Sequence, residues 1–163
     1  MATKIPITFY APAEREPIEV VHRQARRLSQ TPLARTFHQA SANYLMVVNS
    51  RRQIVMASEN VLDLIPEKTL TQLLGLRPGE ALGCIHASEC ESGCGTSLFC
   101  RECEVLKVIL TGLQGEREVQ ECRLTRKLQG RETALELLVV GAPLLENNER
   151  FTLLTVTKTR DET

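Results

Sequence analysis

The chain has 163 residues, 42% apolar and 25% charged, with 20 basic residues balancing 20 acidic ones. That suits one compact domain with a helical arm, and it removes the electrostatic case for nucleic acid or an anionic membrane as the main partner. Four Phe, two Tyr and no Trp leave little for a base-stacking surface.

The start, "MATKIPITFYAPAER", has no apolar signal core, and no apolar run approaches the roughly 20 residues that span a bilayer. The expectation is a cytoplasmic protein. In that reducing setting, crowded thiols point to metal or redox chemistry before structural disulfides.

Residues 16–29 place Ile18, Val21, Ala25 and Leu28 at helical spacing after Pro17, a narrow stripe that suits a dimer interface or docking on the chain's own domain. "PLARTFHQASA" continues from Pro32 as a second helical stretch. "NYLMVVNSRRQIVMAS" reads as a β-hairpin turning at "NSRR". "ENVLDLIP" and "EKTLTQLLGL" read as short helices. Arg77–Thr96 has Pro, Gly and few periodic apolar residues, so it is expected to be a long irregular segment, functional or held by a ligand. "SLFCRECEVLKVILTGLQG" predicts one helix capped by Ser97 and ended at "QG". Three strands follow, "EREVQECRLTRKL", "TALELLVVGAPL" and "RFTLLTVTKT", turning at "QGRE" and "ENNE". The order predicts an α+β fold: a five-stranded antiparallel sheet with helices on one side and an N-terminal helical arm, divided as arm 1–41 and domain 42–160.

Five of the six cysteines, Cys84, Cys90, Cys94, Cys100 and Cys103, fall between Gly83 and Cys103. Four thiolates can close the coordination of zinc or an iron–sulfur cluster. A C-x2-C pair at a helix start puts two sulfurs near one centre, and a Gly-containing loop can bring others round. Gly93 and Gly95 are expected to let backbone N–H groups approach sulfur, and Arg101 to offset thiolate charge. "CRECE" lacks the His of a c-type haem site. With no G-x-S-x-G, phosphate-binding loop or H-E-x-x-H, the chain is not expected to be an enzyme.

"FYAPAER", "NSRRQIVMAS", "GLRPGEALGCIHA", "GCGTSLFCREC" and the "EC" at Glu121–Cys122 resemble the cysteine-rich subgroup of PAS domains found in bacterial sensor histidine kinases. The resemblance implies a sheet that cups a ligand or cofactor and a ligand set of Cys84, Cys94, Cys100 and Cys103, with Cys90 outside it. Two positions depart from that subgroup: Ser58 stands where Asn usually closes the second strand, and Glu104 where Gly commonly follows the last cysteine.

The expected function is a stand-alone redox or oxygen sensor holding a [4Fe–4S] or [2Fe–2S] cluster. The chain stops after "VTKTRDET" with no room for a kinase core, so it is expected to act through a separate histidine kinase or other signalling protein, as a homodimer through the N-terminal helix. The alternatives are a zinc-stapled interaction module and a metal-free thiol switch. Cys122 and His86 stand as substitute ligands, against a packed strand residue and a loop histidine. His22 and His38 read as structural or solvent-facing.

Overall fold

The computed structural model describes residues 6–32, 34–36 and 41–163. Among the described residues the architecture is a five-stranded antiparallel sheet in the order β2-β1-β5-β4-β3. Its strands are β1 (Tyr44–Val48), β2 (Ile54–Ala57), β3 (Glu118–Leu128), β4 (Arg131–Glu146) and β5 (Glu149–Lys158). The second helical stretch from Pro32 lies partly outside the described residues, and His38 wholly so.

Alternation along the strands sorts side chains onto two faces. Met46, Val48, Ile54, Leu135, Leu137, Val139, Leu154 and Val156 meet Val105, Val108 and Ile109 in the main core. The last three belong to helix α4 (Glu104–Leu113). Val47, Val55 and Phe151 face the other way and are covered by Val21 and Leu28 of helix α1 (Ile18–Ser29). Ile18 of the predicted stripe is 47% exposed, and Gln24 is buried instead. Gln24 donates to Glu149 and accepts from the Asn49 side chain. The turns match their residues: Gln129–Gly130 and Asn147–Asn148 all have positive φ, the geometry that twists two-residue hairpins correctly.

The two short helices form, and the structure departs from the sequence reading at two places further along the chain. "ENVLDLIP" forms a 3-10 turn, Glu59–Asp63, and "EKTLTQLLGL" a single helical turn, α2 (Leu70–Leu73), set by a Thr69–Gln72 capping box. The segment expected to be irregular contains helix α3 (Pro78–Leu82), ended by Gly83 at φ +80, and a 3-10 turn at Ile85–Ser88. The predicted Ser97-capped helix is two pieces: a 3-10 turn, Leu98–Glu102, then α4 with Cys103 as its cap. Cys103 is extended at φ −78, ψ 115, and its sulfur accepts from Leu106 N at 3.5 Å.

Ser58 fills the place of the missing Asn. It is buried, and its hydroxyl accepts from Leu45 N at 3.0 Å. No described helix is long and apolar enough to cross a membrane.

Candidate functional site

Residues 77–103 pack against the sheet end near Leu124 and Arg126, where Cys84 forms an isolated bridge with Arg126. Cys84, Cys94, Cys100 and Cys103 come from three separate pieces of local structure, yet all four line one cavity of about 50 Å³. Gly79, His86, Phe99, Val105 and Ile109 complete part of its wall. That volume holds several atoms, since one water needs only about 10–15 Å³. It is far below the roughly 300–1,000 Å³ of ordinary small-molecule pockets.

Close packing fixes the thiols. A Cβ on Gly79 would stand 2.7 Å from Cys94 Sγ, so any larger residue there would push the Cys94 thiol aside. Backbone amides aim at three sulfurs: Gly79 at Cys94, His86 and Ala87 at Cys84, and Leu106 and Val105 at Cys103. The last two come from the first turn of α4, whose dipole favours negative charge there. Gly93 and Gly95 have other uses. At φ +88 Gly93 leaves room for the Arg15–Glu80 pair, and at φ +90 Gly95 leaves room for the Arg52 guanidinium.

Burial pushes the Cys84 and Cys103 thiols up and takes Cys94 to about 12, against amide hydrogen bonds that pull the other way. As free thiols these groups are neutral at pH 7, and an occupant that binds thiolates must displace their protons. All six cysteines are free, so no disulfide consumes the donors. Among the described residues no group of three or more His, Cys, Asp or Glu side chains is arranged to hold a metal ion as it stands. The four cysteines line the cavity without being gathered on one metal-sized point.

Cys90 is buried away from this ring, with its sulfur 3.5 Å from the Ile7 carbonyl. Cys122 packs in the main core opposite Leu137, and burial, with the Glu104 carboxylate nearby, takes its thiol to about 12. His86 lines the cavity but is occupied: its ring stacks on Phe99 at 4.6 Å and its Nδ1 lies 2.8 Å from Glu89 Oε1.

Arg101 does not face the thiols. It is exposed, and its guanidinium donates to the Phe9 carbonyl at 3.2 and 3.3 Å. Two arginines that the sequence reading did not single out are central instead. Arg77 is fully buried, and its guanidinium donates to the carbonyls of Arg51, Ser92, Cys94, Pro12, Ala13 and Glu14. Burial, with Arg52 and Arg15 nearby, lowers its pKa to about 10, so it stays charged at pH 7. Arg52 lines the cavity itself. Glu80 accepts from Arg15 and from the Arg77 and Cys94 amides, and these bonds outweigh burial to hold its carboxyl below the usual range.

Residues 7–17 form a strap over this corner. Phe9 N donates to Thr96 O at 2.8 Å and Ala11 N to Gly95 O at 3.0 Å, and the strap then runs directly into α1. The only sequence signal for the Arg77 role was the motif "RPGE", in which Pro starts α3 and Glu80 returns to the Arg77 amide.

The fold is similar to solved PAS domains. A PAS domain from a two-component sensor histidine kinase matches with TM-score 0.52 at 13% identity, covering 80% of this chain and 100% of that one. The PAS domain of nitrogen regulation protein NR(II) from Vibrio parahaemolyticus matches with TM-score 0.52 at 16% identity, covering 78% and 99%. A light-oxygen-voltage domain studied with a flavin analogue matches with TM-score 0.53 at 19% identity, covering 82% and 88%. At these identities the likeness is one of fold: the chain has the PAS fold. No family model and no curated protein matches it.

Proposed function

We propose that this chain is a PAS sensory protein in which Cys84, Cys94, Cys100 and Cys103 hold an iron–sulfur cluster, and that it reports redox state or oxygen to a separate signalling partner. The observation that carries the reading is the convergence of four thiols on one cavity, with backbone amides already aimed at three of them. Amide hydrogen bonds to cysteine sulfur stabilise thiolate ligands and help set a cluster's potential. When bound, such a cluster supplies one-electron redox chemistry. A flavin, the group studied in the light-oxygen-voltage domain above, is far larger than a cavity of about 50 Å³.

The chain's own residues supply the response. A backbone shift at Cys94 would move its carbonyl, which Arg52 and Arg77 both hold, and Arg77 also holds the strap carbonyls of Pro12, Ala13 and Glu14. The route from the thiols to α1 is therefore short and avoids the sheet. Because the buried stripe of α1 packs on its own sheet, a partner kinase or second copy would meet exposed residues, among them Phe9, Tyr10, Leu98 and Phe99.

The test is protein purified without oxygen, with its visible spectrum, iron, zinc and acid-labile sulfide measured on one sample. Brown protein containing iron and sulfide is expected. Cys84→Ser, Cys94→Ser, Cys100→Ser and Cys103→Ser should each lose the chromophore, while Cys90→Ser and Cys122→Ser keep it. Colourless protein with one zinc would replace the sensor reading with a structural staple. Metal-free protein that loses two mass units on oxidation would replace it with a thiol switch.

A further inference from the structure

Arg52 is not explained by the fold. It sits in the β1–β2 turn at φ +67, a left-handed conformation uncommon outside glycine, and is 2% exposed. Its guanidinium lies on Gly95, where a Cβ would come within 3.0 Å of both Nε and Nη2. Nη2 donates to the Cys94 carbonyl at 3.3 Å, while Nε has no partner. Among the described residues no other buried side-chain nitrogen or oxygen lacks one. A buried donor left unpaired carries its full desolvation cost, so a site that keeps one is expected to use it.

The surrounding charge is unbalanced in the same sense. Arg15, Arg52 and Arg77 gather here around one carboxylate, Glu80, and the Glu80 oxygens are taken by Arg15 and the Arg77 and Cys94 amides. Arg77 spends its donors on backbone carbonyls. Arg52 is thus a buried cation with a free N–H on the wall of a cavity ringed by thiols.

We propose that Arg52 is the built-in counter-charge and hydrogen-bond donor for an anionic, four-thiolate occupant of the cysteine cavity, and that it raises that occupant's reduction potential. The inference rests on the cluster reading above. A four-thiolate cluster is anionic and gains one more negative charge on reduction, so a fixed cation in a low-dielectric wall favours the reduced form. Gly95 acts through Arg52 by giving the guanidinium its seat. Arg52 is a donor and counter-charge and no ligand, and Gly95 is the positioning residue.

The experiment is a potentiometric titration of the full chain, loaded anaerobically with iron and sulfide, as wild type, Arg52→Met, Arg52→Lys and Arg101→Met. Arg52→Met should keep its iron and sulfide but shift to lower potential, Arg52→Lys should fall between it and wild type, and Arg101→Met should match wild type. Thermal unfolding supplies a second reading. The gap between loaded and metal-free protein should narrow in Arg52→Met, because the metal-free variant no longer buries an unpaired cation.

An Arg52→Met protein with wild-type potential and an undiminished gap overturns the inference while leaving the cluster reading intact. So does a metal-free Arg52→Met protein that unfolds where metal-free wild type does not, provided Arg52→Lys also keeps the wild-type potential. Wild type that takes up neither iron nor sulfide overturns the cluster reading, and this inference with it.

Discussion

Strands β3 and β4 pair without interruption from Glu118–Gly141 to Leu128–Arg131, and β4 buries Leu135, Leu137 and Val139 against α4. Residues 77–103 are built differently. Their helical pieces are short, and much of their order comes from Arg77 donating to six backbone carbonyls and from the Arg15–Glu80 pair. The sheet is held by apolar burial spread over many residues, so it tolerates movement at its edges. The cysteine corner is held by a few buried charges, each serving several segments at once. Such a corner has few ways to loosen gradually, which suits an element that must occupy one of two arrangements.

Four changes test this contrast. Leu135→Ala, at a fully buried position, should cost about 2–5 kcal/mol in urea unfolding, spread across the whole sheet. Protection of the Phe9 and Ala11 amides should fall only as far as global stability does.

Arg77→Met should cost about 2–3 kcal/mol, because it strands carbonyls that a buried cation had satisfied. Here hydrogen exchange should speed up selectively at Phe9 and Ala11, with β3 and β4 amides still protected. Equal loss in both regions would mean that corner and sheet are one cooperative unit.

Gly141→Ala tests the sheet-to-helix contact. A Cβ there meets the Val108 side chain and stands 3.0 Å from the Val108 carbonyl, so α4 must back away. Overpacking of this kind costs about 1–3 kcal/mol, and cavity residues Val105 and Ile109 would shift with the helix. Near-native stability would indicate slack between α4 and β4.

The smallest effect concerns acid. Arg126 grips Glu162 with two hydrogen bonds, of 2.6 and 2.8 Å, and takes its carboxyl down to about 2 from an ordinary 4.5. A depressed carboxylate contributes fully above its unfolded pKa and loses that contribution as pH falls through the folded one. Stability should therefore decline between about pH 4.5 and pH 2, and Glu162→Gln should flatten that limb. At pH 7 the variant should lose about 1 kcal/mol, since the pair is partly open to solvent.

The long strands were legible because their signals are local. Alternation marks β3, β4 and β5, and Gln129–Gly130 and Asn147–Asn148 sit where hairpin geometry needs positive φ. The helix through Cys100 and Cys103 was misjudged because its apolar spacing continues smoothly across Cys103. In the structure Cys103 is extended and its thiol caps Leu106, and the helix breaks there. Arg101 stands out in the sequence because it lies between two cysteines, whereas nothing local marks Arg52. In space it reaches the strap, while Arg52 arrives at the thiols from the hairpin turn.

The sequence by itself determined the order of elements, the hairpin turns, the alternation that makes a two-faced sheet, and the concentration of thiols in one loop. Those follow from propensity, periodicity and spacing, which act between neighbours. The tertiary structure alone decided that four of six thiols ring one cavity, that α1 covers the far face of the sheet, and that Arg77 and Arg52 organise the corner. The partners of these two arginines extend from Pro12 to Gly95, and no local rule spans that distance. A buried cation is defined by which carbonyls and cavity walls surround it, and those exist only once the chain has closed.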